Sequence, residues 1–408
     1  MRNLRLSSVF VALATAACGS VVSGEGGAPP ERNGFVQSEG CAQSPLDGLP
    51  AVACEAGWLV PGLLQLSMTE TSYRLDSAVG TGSNKILVGY LAAGEDPDGV
   101  VSRVRSFDET LCPLGTMTLV EENGYGDLRP VELAVTENGV GALYGDQLQS
   151  GQVAVLEDDA SMLSTPLAVP AGYGHALAAG GAGSLTLLSE ETLFTVGSAG
   201  IEALGPLGIS GFQFGRTAFE DGSFLAVWAT DEYEGASSPV HVVAQRFAAD
   251  ATPLGAQQAI VERSSYGFIS PGPRIVSTRA GDGVAVGFAS GHTTHSNMHD
   301  QDGTITVPPI VIDGGGSVDA IALAEIDPGE LLLAWVSPTD DQASRLQLAI
   351  VDSAGGDILG QWDLGAHFIY GSSPRIAQTA TGAVVFAGGY DIPAQQQLMM
   401  AAPVTRCP

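Results

Sequence analysis

Lysine is almost missing from this chain: Lys85 is the only one, and Lys and Arg together number 16 against 45 Asp and Glu. A net charge of −29 repels phosphate backbones and anionic headgroups, which excludes nucleic acid as a partner and favours solubility. One lysine also leaves one candidate for an amine nucleophile, and Lys85, beside an apolar strand, reads as an ordinary surface charge. Helical patterning is equally scarce. Past the first eighteen residues no window keeps a 3.6-residue apolar period between caps. No later stretch reaches eighteen apolar residues, so no transmembrane helix is expected. There is no Gly-x-Ser-x-Gly elbow, His-Glu-x-x-His, P-loop, dinucleotide fingerprint or Cys-x-x-Cys pair. Acidic pairs such as Asp158-Asp159, Glu190-Glu191 and Asp340-Asp341 meet the two-carboxylate need of a glycosidase, yet 45 carboxylates make such pairs inevitable.

What the chain has is glycine (54), proline (23) and β-formers, arranged in a recurring unit. The clearest copies are Gly222-Ser-Phe-Leu-Ala-Val-Trp-Ala-Thr-Asp231 and Gly329-Glu-Leu-Leu-Leu-Ala-Trp-Val-Ser-Pro338; weaker ones begin at Gly82, Gly139, Gly183, Gly283 and Gly382. Spacings of 57, 44, 39, 61, 46 and 53 residues leave room for about four short strands per unit. An arginine-marked strand precedes several copies (Arg129, Arg216, Arg274, Arg375), and a third strand such as His241-Val-Val-Ala-Gln-Arg-Phe247 follows. Pro-Leu-Gly or a relative closes the unit at Pro113, Pro206, Pro253 and Ile358. A lone four-stranded sheet exposes both faces, whereas radial packing against two neighbours buries them. The expected fold is therefore all-β: one β-propeller of about seven four-stranded blades, with six or eight as alternatives. The last unit lacks a fourth strand, and the run Trp58 to Met68 is expected to supply it, closing the ring by pairing of the N- and C-terminal strands. The pattern resembles bacterial secreted propellers whose blades run strand, Gly-turn, "LAVW-D", "V-A-Q-R-F", "PLG", most closely across Phe214 to Ile260.

The N-terminus divides the chain further. Arg2 and Arg5, the apolar run Leu6 to Ala14 and the small residues Thr15-Ala16-Ala17 before Cys18 have the make-up of a secretory signal. Cys18 after two alanines resembles the lipobox of bacterial lipoproteins, with Thr15 where that family prefers Leu. The resemblance implies a signal peptide over 1–17, diacylation of Cys18 and a flexible tether over 18–40, ahead of a propeller over 41–408. Gly19 in place of Asp resembles the pattern that permits transport to the outer membrane, facing the periplasm or the cell surface. Losing Arg2 and Arg5 takes the charge from −29 to −31. Cys41, Cys54, Cys112 and Cys407 form an even set suited to two disulfides in an exported chain. Cys407 bonded to Cys41 or Cys54, with Cys112 taking the other, would reinforce ring closure. The alternative, Cys41 with Cys54 and Cys112 with Cys407, is slightly favoured because a thirteen-residue loop closes more easily.

Candidate sites are few. His292, His295 and His299, with Asp300 and Asp302, gather possible ligands for zinc in the repeat interval from Gly283 to Gly329. The spacing matches no zinc signature, and a solvated polar loop has the same composition. Asp300-x-Asp302-Gly303 and Glu95-Asp96-Pro97-Asp98-Gly99 have carboxylates suited to calcium, though Asp-Gly is also a common hairpin turn. The repeated arginines are expected to tie neighbouring blades together, since a binding site needs such a residue once only. Trp228 and Trp335 fit inter-blade packing, while Trp58 and Trp362, near turns, suit exposed stacking platforms. No residue is assigned a catalytic role, and neither zinc nor calcium is required. The expected function is a non-catalytic, monomeric envelope module that binds or scaffolds a protein or polysaccharide through blade loops, especially 231–240 and 289–305. The alternative is a carbohydrate-active hydrolase or lyase with a carboxylate or His/Asp metal site on one rim.

Overall fold

A computed structural model of the chain describes residues 35–38, 41, 43–49 and 54–408 apart from short stretches. The longer of these are 67–71, 94–98, 124–127, 146–150, 170–175, 180–183, 232–239, 265–274, 300–303, 314–319, 339–342 and 392–395. The described residues are all-β apart from a 3-10 turn at Pro45–Gly48. By hydrogen bonding they form a propeller of six blades, the sixth of them double.

The first sheet holds Ser72–Gly80, Lys85–Ala93, Gly99–Asp108 and Pro113–Asn123, with Phe35–Gln37 added at its outer edge. Four-stranded meanders follow over residues 132–168, 176–206, 212–264 and 275–313. The sixth sheet has nine strands. One meander spans 320–369; a second holds Arg375–Thr379, Gly382–Asp391 and Gln396–Arg406, joined to the first by the single pair Ile369 with Tyr390. The count is six where about seven was expected: the seven glycine-led repeats fall in six sheets, the last two of them in the nine-stranded one. Every repeat supplies the second strand of a meander, and these strands are the core. Lys85–Ala93 is buried over all seven central residues, as expected of a strand covered on both faces.

The innermost strands (Ser72–Gly80, Glu132–Thr136, Ala176–Ala179, Phe212–Ala218, Ile275–Ala280, Ala320–Asp327, Arg375–Thr379) each lie against the next, and the last lies against the first. This ring surrounds the central channel. Apolar clusters fill the wedges between sheets: Trp335 packs with Ala280 and Ile310 of the fifth sheet, and Trp228 with Leu188 and Leu207 of the third. The inter-blade role expected for both tryptophans holds. At the meeting of first and last strands a Cβ on Gly80 would stand 1.5 Å from the Gln378 carbonyl oxygen. Only glycine permits that approach.

The chain ends meet as the unfinished last repeat requires. Trp58–Leu59 and Leu64–Leu66 both pair antiparallel with Gln396–Arg406. Cys54 bonds Cys407 across 353 residues of sequence, with the Cα atoms 6.0 Å apart. This overturns the Cys41–Cys54 and Cys112–Cys407 pairing: loop length favours the nearer cysteine in an unfolded chain, whereas strand pairing brings the distant one alongside. Trp58 is also a correction. Far from being an exposed platform, it is fully buried; its Nε1 donates to Glu330 Oε2 at 2.7 Å, and the Arg406 guanidinium lies 4.4 Å above its ring. Arg406 in turn pairs with Asp327 and Glu330 of the preceding meander. Trp362 is half-buried against the same core.

Candidate functional site

The channel wall carries the most unusual polar side chain. The first strand bulges between Leu75 and Ser77, so Asp76 has no partner residue on Lys85–Ala93. A bulge re-aims the side chain it carries. Here the Asp76 carboxylate is turned into the wedge towards the second sheet, where it accepts from Val131 N at 3.0 Å and from Arg74 Nε at 2.6 Å. Burial raises its pKa above the ordinary carboxylate value, with the Arg74 charge opposing. Its backbone carbonyl accepts from Arg375 Nε of the last repeat. One residue thus ties three neighbouring repeats around the channel.

Two of the four repeated arginines act as expected, as ties between sheets. Arg375 reaches the first sheet at Asp76. Arg216 donates to Thr186 Oγ1 of the third sheet and lies 4.2 Å above the Phe224 ring. Its Nε is sealed from solvent with no acceptor among the described residues, and desolvation lowers its pKa to about 10. Arg129 and Arg274 lie outside the described residues.

On one face, where each repeat turns from its first to its second strand, the first three repeats border an open cavity of about 580 Å³, lined in part by Val135 and Ala179. Its polar lining is Thr81, Ser83, Thr136, Glu137 and Asp158. The Ser83 hydroxyl donates to Asp158 Oδ2, bridging first and second sheets. Thr81 follows the innermost strand Ser72–Gly80 and Thr136 ends the innermost strand of the next repeat, so the cavity sits at the channel mouth. A volume between about 300 and 1,000 Å³ is usual for a small-ligand site. Hydroxyls and two carboxylates suit a neutral, hydroxyl-rich ligand and disfavour an anion.

The sequence-selected histidines occupy other ground. Residues 293–299 form a strand paired on both sides, with Gly283–Ser290 and Ile305–Asp313, where a loop was expected. Backbone pairing overrides the polar composition there. His292, Asp300 and Asp302 lie outside the described residues, as do the side chains of His295 and His299, residues 232–239 of the loop 231–240, residues 291–292 and 300–303 of the loop 289–305, and Cys18 with its signal. Among the described residues no three His, Cys, Asp or Glu side chains converge as a metal site. The sequence reading missed both Asp76 and the cavity. The cavity had a signal, since Ser83 and Glu137 occupy the same turn in consecutive repeats; Asp76 had none, because a bulge breaks the two-residue period.

Neither a family model nor any curated protein matches the chain. Solved structures do. A chain of the structure titled "Crystal Structure of Mitotic Checkpoint Complex" aligns with a TM-score of 0.50 at 12% identity, over 86% of this chain and 96% of that one. The β-propeller domain of the Trilobed protease from Pyrococcus furiosus aligns at 0.45 and 8%, over 83% and 96%. Trypanosoma rangeli sialidase, in complex with a difluoro-KDN, aligns at 0.46 and 11%, over 86% and 58%. At such identities the likeness is one of fold alone: the chain is a generic β-propeller.

Proposed function

We propose that this protein is a lipid-anchored, non-catalytic binding propeller of the bacterial envelope, in which the double sixth sheet counts as two blades and gives seven in all. The supporting observation is the polar cavity at the channel mouth, held by a ring closed through strand pairing and a disulfide. Such a scaffold orders binding groups in advance. The lining favours a neutral polysaccharide segment as ligand. Cys18 diacylation, the tether and the outer-membrane location rest on the lipobox resemblance, and oxidative closure at Cys54–Cys407 agrees with export.

The test uses the unlipidated chain (residues 19–408) and the Gly82→Trp variant. Gly82 borders the cavity, and a Cβ there meets no atom within 4 Å, so an indole is accommodated at the cavity's edge without straining the fold. Binding to neutral envelope polysaccharide, and at least a tenfold loss in the variant, are expected in pull-down and calorimetry. No glycan bound by the parent chain, or equal binding by both, refutes the reading. Glu137 and Asp158 border the same cavity, which is the observation favouring a hydrolase as second reading. Turnover of the bound glycan, abolished by Glu137→Gln, would establish it.

A further inference from the structure

The N-terminal segment touches the first sheet in two places, and one cysteine from each partner falls between them. Phe35–Gln37 runs antiparallel to Gly115–Met117, with Phe35 opposite Met117 and Gln37 opposite Gly115. Pairing continues to Ser38, whose N–H donates to the Leu114 carbonyl at 2.9 Å. The segment returns at Ser44, whose hydroxyl donates to the Thr110 carbonyl at 3.1 Å. Cys41 stands three residues from each of these N-terminal contacts, and Cys112 two residues from each of their partners. Three extended residues reach at most about 10 Å, so Cys41 stays within that distance of both contacts that flank Cys112. Cys112 is held at the end of a tight turn, its N–H donating to Asp108 Oδ1 at 3.0 Å.

We propose that Cys41 and Cys112 form a second disulfide when the protein is exported. Both stand as thiols in the structure, where Cys54–Cys407 is the one disulfide among the described residues. The reaction is thiol–disulfide exchange with an oxidised dithiol protein of the compartment. One thiolate attacks its disulfide, and the second displaces the mixed disulfide. One S–S bond forms and one breaks, and two electrons and two protons pass to the oxidant, which leaves as a dithiol. The bond has an architectural consequence. Cys54 is fastened to the last sheet, and Cys41 would be fastened to the first. The chain between the two cysteines would then link the first and last sheets covalently across the seam where the ring closes. Leu46 in that segment already packs on the cluster shared by the two sheets, which contains Leu75 and Phe107 of the first and Phe386 and Met399 of the last.

The full chain, exported to an oxidising periplasm and purified without reductant, is alkylated under denaturing conditions and digested with trypsin and an Asp-directed protease. Cleavage at Asp47 separates Cys41 from Cys54. The expected products are one cross-linked pair joining Cys41 to Cys112 and one joining Cys54 to Cys407, with alkylation of all four at background. Alkylated Cys41 and Cys112, or either joined to another cysteine, overturns the proposal. A Cys54→Ser/Cys407→Ser variant gives a second reading: its migration on a non-reducing gel shifts on reduction if the bond exists, and an unchanged migration refutes it.

Discussion

Asp76 shows how far one residue departs from its ordinary chemistry. Burial favours the neutral acid, so the native state binds the Asp76 proton more tightly than the unfolded chain does. Stability is then greatest below the unfolded value, near 3.8, and falls as pH rises through the higher native one. Asparagine at this position keeps an oxygen for Val131 N–H and carries no charge to desolvate. The lost pairing with half-exposed Arg74 contributes little, about 0–1 kcal/mol. The stability difference between parent and Asp76→Asn is expected to favour the parent most at low pH and to shrink across that window. Urea unfolding at a series of pH values measures it; a difference independent of pH refutes the assignment of burial as the dominant influence.

At the scale of elements, one five-residue turn recurs under different sequences. In Asp108–Cys112, Glu157–Ser161 and Ala248–Thr252 the first residue's N–H donates to the fifth carbonyl, and the fourth N–H to the first carbonyl. The fourth residue has positive φ each time: 65° at Leu111, 72° at Ala160 and 69° at Ala251. Side chains in that region are disfavoured by about 1–2 kcal/mol, and branched ones most of all. Ala160 is also fully buried. Ala160→Val is therefore expected to lose about 2–4 kcal/mol in chemical denaturation, from strain plus overpacking. Ala160→Gly should change stability by no more than about 1 kcal/mol, since relief of strain offsets the lost methyl. These turns explain which parts of the molecule were legible in sequence. The second strands were, because glycine opens them and burial on both faces makes them continuously apolar. The third-to-fourth turns were not, because Leu and Ala occupy the left-handed position where glycine would have signalled a turn. The polar strand Thr293–His299 was hidden by its composition, and Trp58 by its place beside a turn. The cavity left as its trace only the polar residues Ser83 and Glu137 at the same turn of consecutive repeats, because it arises between repeats and no single stretch of sequence describes it.

For the molecule as a whole, stability is concentrated where the chain closes on itself. Trp58 couples the N-terminal strand, the C-terminal Arg406 and Glu330 of the neighbouring meander in one buried contact. Trp58→Ala is expected to cost about 3–5 kcal/mol, as for a large aromatic removed from a core. The same variant should unfold at distinctly lower denaturant than the parent in both oxidised and reduced states. A loss confined to the reduced state would mean that the disulfide alone holds the seam. The seam also makes the order of synthesis matter. The strand that receives both N-terminal strands comes last among the described strands, so no contact across it can form until Gln396–Arg406 has been delivered. A nascent chain can assemble its early meanders one by one, yet it stays an open arc with a bare flank until that strand has been made. Under the export proposed above, late closure would be an advantage, because an unclosed arc can still be threaded through a narrow channel.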